Sequence, residues 1–246
     1  MSCFLCNSSL GKKLVMSLTG CCLVLFLLFH MAMNLVALIN PVGYNTICAL
    51  LGANWYAVVA TVGLGALVVL HFVYAFILTI DNYRARGTQR YAITANEPGV
   101  EWASKNMLVL GIIVILGLGL HLAHFWSKMM LVELMGAEGS MVAGEFVHAT
   151  DGATLVAFTF SKWYNVVLYL VWLAALWFHL NHGVWSMFQT VGWANDTWYP
   201  RLKCASKVVS TLVILGFAAV IIGAFVMSIM GCGVEVCTEA CCGHAH

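Results

Sequence analysis

Six of the nine histidines sit in stretches that are otherwise almost wholly apolar. His30 lies in FHMAMN, His71 in LHFVY, His121 and His124 in LHLAHFW, and His179 and His182 in FHLNHGVWS. An imidazole is expensive to bury without a partner. A single one can be satisfied by a neighbouring carbonyl or hydroxyl, but here four successive apolar stretches each carry at least one. Neutral imidazole binds metal through its free ring nitrogen and also moves protons. None of the four stretches contains Asp or Glu. Proton relays usually include carboxylates, and zinc or copper centres draw several ligands to one point.

The elements that must position these rings are membrane helices. The 246 residues are 62% hydrophobic and 9% charged, too little charge for the surface of a soluble domain. A net charge of +1 gives no basis for nucleic-acid binding. Five stretches, about 14–39, 56–80, 106–131, 163–189 and 206–230, are long enough to cross roughly 30 Å of hydrocarbon. The first follows Lys12 and Lys13, as a signal peptide would, but is too long for one and lacks a clear cleavage site. The expectation is an all-α membrane protein whose five transmembrane helices form a haem-binding bundle. That domain covers residues 1–231, with no catalytic head, and a Cys/His-rich tail covers 232–246.

Of the ten cysteines, Cys232, Cys237, Cys241 and Cys242 crowd that tail with His244 and His246, in no recognised zinc spacing. The others read as small apolar residues.

Basic residues collect before the first span and in the second and fourth connections, with Arg84, Arg86, Arg90, Arg201, Lys203 and Lys207. The third connection carries Glu133, Glu138, Glu145 and Asp151. By the positive-inside rule the N-terminus is cytoplasmic and the C-terminus outside. His30 and either His121 or His124 then form an outer layer, and His71 with either His179 or His182 an inner one. The helical rise separates the layers by on the order of 10–15 Å. Two imidazoles from opposed helices at one depth suit a haem iron ligated on both faces, which carries electrons and leaves no open position for substrate. Gly63, Gly65, Gly117 and Gly119 are candidates to line the ring faces, or simply to pack helices closely. Spacing does not choose within either histidine doublet, since residues three apart share a face.

Taken in order, FHMAMN, LHFVY, LHLAHFW and FHLNHGVWSMFQTVGW resemble the cytochrome b membrane-anchor subunit of succinate:quinone oxidoreductases, in its single-chain, five-helix, two-haem form. The resemblance spans roughly 14–230. It rests on His30 with Asn34, His71 with Tyr74, His121 with the aromatic pair after it, and His179 with Gly183. It implies two haem b groups, ligated by His30 with His121 and by His71 with His179. It further implies quinone, of the menaquinone type, near the outer haem. A flavoprotein and an iron–sulfur subunit would dock on the cytoplasmic face of a bacterial inner membrane, in a complex that can form a higher oligomer. The chain itself would not touch succinate or fumarate. Glu133, Glu145 and His148 are candidates for quinone protons, or plain loop residues. Some fumarate reductases of this type carry a glutamate two residues before the fourth-helix ligand, where Trp177 stands here. That places transmembrane proton movement by that route in doubt. The alternatives are the cytochrome b of a nitrate reductase, formate dehydrogenase or hydrogenase, and a non-haem transporter with a histidine-lined path.

Overall fold

The computed structural model describes residues 8–86 and 102–231. Among them the fold is all-α apart from one short hairpin. Its long helices are α1 (Ser9–Ile39), α3 (Trp55–Arg86), α5 (Met107–His121), α8 (Trp163–Thr190) and α9 (Trp198–Ile229). Shorter pieces join them: α2 (Pro41–Leu50), α4 (Trp102–Lys105), α6 (Met130–Leu134) and α7 (Gly152–Phe160). Five segments, Ser9–Ile39, Trp55–Ala85, Met107–Trp126, Trp163–Thr190 and Trp198–Ile229, are long and apolar enough to cross a membrane. Among the described residues the fold is thus that of a multi-pass helical membrane protein with five helices able to span. Leu18, Val62, Leu116 and Leu215 are exposed on these helices, as side chains solvated by lipid are. The Cys-rich tail, Cys3, Cys6 and Arg90 lie outside the described residues, as does the Arg86 side chain.

Polar caps set boundaries that hydropathy misses. The first helix begins at Ser9 rather than near residue 14, because Ser8 Oγ accepts from Gly11 N at 2.9 Å. The last begins at Trp198 rather than near 206, because Asn195 Oδ1 accepts from Thr197 N (3.1 Å) and Trp198 N (2.9 Å). The third span is shorter than the expected 106–131. Its α-helix stops at His121 and continues as one π-helical turn, Leu122–Trp126, closed by Ser127 N on Leu122 O at 2.8 Å. A π turn inserts an extra residue and re-aims the side chains that follow it.

The chain divides into two compact units, to each of which all five long helices contribute. The described part of the first comprises residues 8–28, 61–86, 102–114 and 175–212. There Lys12 Nζ meets Asp81 Oδ2 at 2.7 Å, joining α1 to α3. Ala103, Leu110 and Ala175 form a small buried cluster. Trp177, which stands where a related glutamate was considered, donates its indole N–H to Thr211 Oγ1 at 3.0 Å. It fastens α8 to α9 and carries no titratable group. Ser206 Oγ, fully buried, donates to the Asn181 carbonyl.

The described part of the second unit comprises residues 29–60, 115–174 and 213–231. Gly223 on α9 lies under Leu38 of α1, whose Cδ2 would come within 2.7 Å of an added methyl. Seven residues earlier Gly216 lies under Met31 in the same way. Small residues at that repeat let two membrane helices approach closely. The third connection is structured. Gly139–Val142 pairs antiparallel with Glu145–His148 across a tight turn in which Ala143 and Gly144 have φ of 51° and 97°. Asp151 caps α7 at Thr154 N (3.1 Å) and accepts from Asn45 Nδ2 at 2.7 Å, tying α7 to α2.

Candidate functional site

In the first unit His71 on α3 and His179 on α8 face one another, ring centroids 6.3 Å apart. In the second unit His30 on α1 and His121 at the end of α5 do the same at 5.8 Å. Spacing left both doublets open; the resemblance alone named these pairings. All four rings are half-buried.

Each pair has its own supports. Thr19, itself buried, donates its hydroxyl proton to the Val15 carbonyl at 2.8 Å and lies 3.1 Å from His71 Nδ1. With that proton committed, the Thr19 oxygen is an acceptor and His71 Nδ1–H the donor. Nε2 is left with its lone pair, the form a metal ligand needs. Gly20 gives the ring room, since a methyl there would lie 3.3 Å from His71 Cε1. His179 Nδ1 is buried without a hydrogen-bond partner among the described residues.

His30 sits in a chain of amide and hydroxyl contacts. The Tyr44 hydroxyl donates to Asn34 Oδ1 at 3.0 Å, and Asn34 Nδ2 donates to the His30 carbonyl at 2.8 Å while lying 3.4 Å from His30 Nδ1. Burial, then the neighbouring Cys48, raises the pKa of Tyr44, so it stays a neutral donor. His121 packs against Trp172 at 6.0 Å, and Trp172 in turn lies over Gly117. Gly117 therefore admits an indole. A methyl at Gly63, Gly65 or Gly119 would meet nothing within 4 Å, so none of these three serves close helix packing among the described residues.

The doublets divide cleanly. His124, on the π turn, points at α8: its Nδ1 lies 3.1 Å from Tyr169 Oη and the two rings stack at 15°. His182 packs edge-on to Trp185, 5.1 Å away on its own helix.

The donor set decides what these pairs fit. Among the described residues no three of His, Cys, Asp or Glu converge as a metal site would require. A bare zinc or copper ion would therefore be under-coordinated. A porphyrin iron brings four equatorial nitrogens and needs only two axial ligands. Two metal–imidazole bonds of about 2 Å, each with the centroid roughly 1 Å behind its nitrogen, put axial ring centroids on the order of 6 Å apart. The observed 5.8 and 6.3 Å match that span. The residues fit a haem ligated on both faces at each pair.

Sequence reasoning missed a cavity of about 230 Å³ in the second unit. It is lined by His124, Lys128, Thr159, Lys162, Tyr164 and Asn165 among others, and contains no carboxylate. The acidic residues singled out in the third connection lie elsewhere. Glu133 Oε2 accepts from Ala53 N at 2.6 Å just ahead of α3, a structural anchor. Glu145 and His148 are exposed on the hairpin. Arg84, Arg201 and Lys207 are exposed, while Lys203 is half-buried against aromatic rings.

No protein-family model matches this chain, and comparison with curated proteins and with solved structures finds no significant similarity. The class that fold and composition define is an all-α protein with five helices able to cross a membrane.

Proposed function

We propose that this protein is a dihaem cytochrome b that anchors a succinate dehydrogenase or fumarate reductase to the membrane and passes electrons between its iron–sulfur subunit and quinone. The observation that carries the reading is the meeting of His30 with His121 and of His71 with His179 at the separation two axial imidazoles require. Bound haem b supplies one-electron carriers at each pair. The chain's own residues orient the ligands: Thr19 holds the His71 tautomer, and Trp172 backs His121. A haem held between two histidines would leave no open position for substrate, so its iron would carry electrons only.

Quinone, of the menaquinone type, takes the cavity beside His124. The imidazole, backed by the Tyr169 hydroxyl, exchanges protons there as the ring is reduced or oxidised. The flavoprotein and iron–sulfur subunits dock at the cytoplasmic side, where exposed Arg84, Arg201 and Lys207 offer positive charge. The likeness of the four histidine motifs to the anchor subunits supports this choice among dihaem cytochromes.

The test is a reduced-minus-oxidised spectrum of the purified complex, with haem counted per chain and succinate as one reductant. Two b-type haems reducible by succinate or a menaquinol analogue are expected. Haem with no link to succinate or fumarate would instead indicate the cytochrome of a nitrate reductase, formate dehydrogenase or hydrogenase. Protein without haem would leave the histidine-lined transporter.

A further inference from the structure

Beyond His179 on α8 the first unit holds a second cluster with its own chemistry. Trp185 is 8% exposed, and its indole Nε1 is buried without a hydrogen-bond partner among the described residues. Indole N–H is a donor only. Leaving it dry and unpaired is costly, so such a group marks a place where an acceptor belongs. Lys203 Nζ lies 5.2 Å from the Trp185 ring centre and 4.6 Å from that of Tyr199, and the two rings meet at 5.4 Å. His182 closes the other side of Trp185 at 5.1 Å. An ammonium group from α9 thus lies over the indole of α8 whose own N–H is buried. Both donate and neither accepts, so the complementary group is an anionic oxygen acid.

We propose that Trp185 and Lys203, with His182 beside them, form a carboxylate cradle for a propionate arm of the haem held by His71 and His179. This rests on the haem reading above. Trp185 is six residues past His179, about 9 Å of helical rise, on the side of the pair toward the end of α8. A propionate arm directed toward the end of α8 would come within reach of these donors. The cradle gives His182 its place: a wall of the propionate site one turn beyond the ligand. A phospholipid phosphate offers the same oxygen chemistry, and the test separates the two sources.

The complex is purified as wild type and as Lys203→Met, Lys203→Arg and Trp185→Phe. Haem content, the midpoint potential of each haem, the low-frequency propionate bands in resonance Raman and the bound phospholipid are measured. A cation beside the arm favours the reduced, less positive iron centre. Lys203→Met should therefore shift the reduction equilibrium of one haem about tenfold toward the oxidised form, about 59 mV for one electron. Lys203→Arg should hold the potential. Trp185→Phe keeps the ring but removes the donor, and should move the propionate band of that haem alone. The second haem, unchanged, reports an intact fold. Full haem content with unchanged potential and bands would overturn the cradle. So would loss of bound anionic phospholipid with the propionate bands unmoved, which would assign the site to lipid. Wild-type protein lacking haem would overturn the haem reading itself, a result distinct from either.

Discussion

His71 and His179 face each other from α3 and α8 at 6.3 Å, while His182, one turn beyond His179, faces Trp185 instead. Only one member of the doublet is therefore placed to share a ligand with His71. His179→Ala should cost one haem per chain. His182→Ala should keep both and at most shift a potential. The pairing also predicts how double variants combine. His30→Ala with His121→Ala removes one haem, as either single change does; His30→Ala with His71→Ala removes two. Pyridine haemochrome counts on purified protein decide it. Retention of haem in His179→Ala with loss in His182→Ala would show the ligand to be one turn away.

Thr19 fixes the His71 tautomer through a 3.1 Å contact. Replacing an outer partner of this kind costs roughly 10–100-fold in metal affinity. Thr19→Val should weaken haem retention at the His71 pair by about that factor, and Thr19→Ser should restore it. The readout is haem transfer to apomyoglobin. Equal loss in the Ser and Val variants would mean that packing over Gly20, and not the hydroxyl, is what matters.

Glu133 holds the backbone N–H of Ala53 at 2.6 Å. Removing the acceptor leaves that donor unpaired, a cost of about 1–3 kcal/mol. Glu133→Ala should lower the thermal midpoint of detergent-solubilised protein, and Glu133→Gln, which keeps an acceptor, should lower it less. Neither should change quinol oxidation. A selective loss of quinol turnover with unaltered thermal stability would return Glu133 to the proton-handling role.

Cys48, between Tyr44 and Gly152, has its pKa pushed up to about 11 by burial, against the opposing hydrogen bonds from Tyr44 and Gly152. The folded protein keeps this proton where the unfolded chain, near its ordinary 9.0, releases it. Stability therefore falls as pH rises from about 9 to about 11, because the unfolded state then binds fewer protons. Alkylation of Cys48 at pH 8 should be slow and should accelerate toward pH 11. Fast labelling at pH 8, in protein whose haem spectrum is intact, would contradict the buried neutral thiol.

The five spans were legible because lipid imposes a simple demand: some twenty apolar residues in a row. Their ends were not, because Ser8 and Asn195 begin α1 and α9 by side-chain capping, which hydropathy does not register. Histidine chemistry was legible for the same reason that it is rare: a polar ring in each of four apolar helices stands out against its neighbours. The partner of each ring was another matter. Residues three apart on a helix look equivalent until something packs against one of them.

For His121 and His124 the deciding feature is the π turn Leu122–Trp126, which begins after His121, already facing His30, and re-aims His124 toward Tyr169. No residue type in LHLAHFW announces that turn. The glycine pattern misled in part for a related reason. Gly117 accommodates Trp172, fifty-five positions on, and Gly20, fifty-one positions before His71, makes room for that ring. Composition and the spacing of apolar runs determined the membrane class, the helix count and the set of six candidate rings, because each depends on residues near one another in the chain. Which four rings pair across helices, which fifth lines a cavity and which sixth stands beside Trp185 depend on contacts between residues far apart in sequence, and those only the tertiary structure decided.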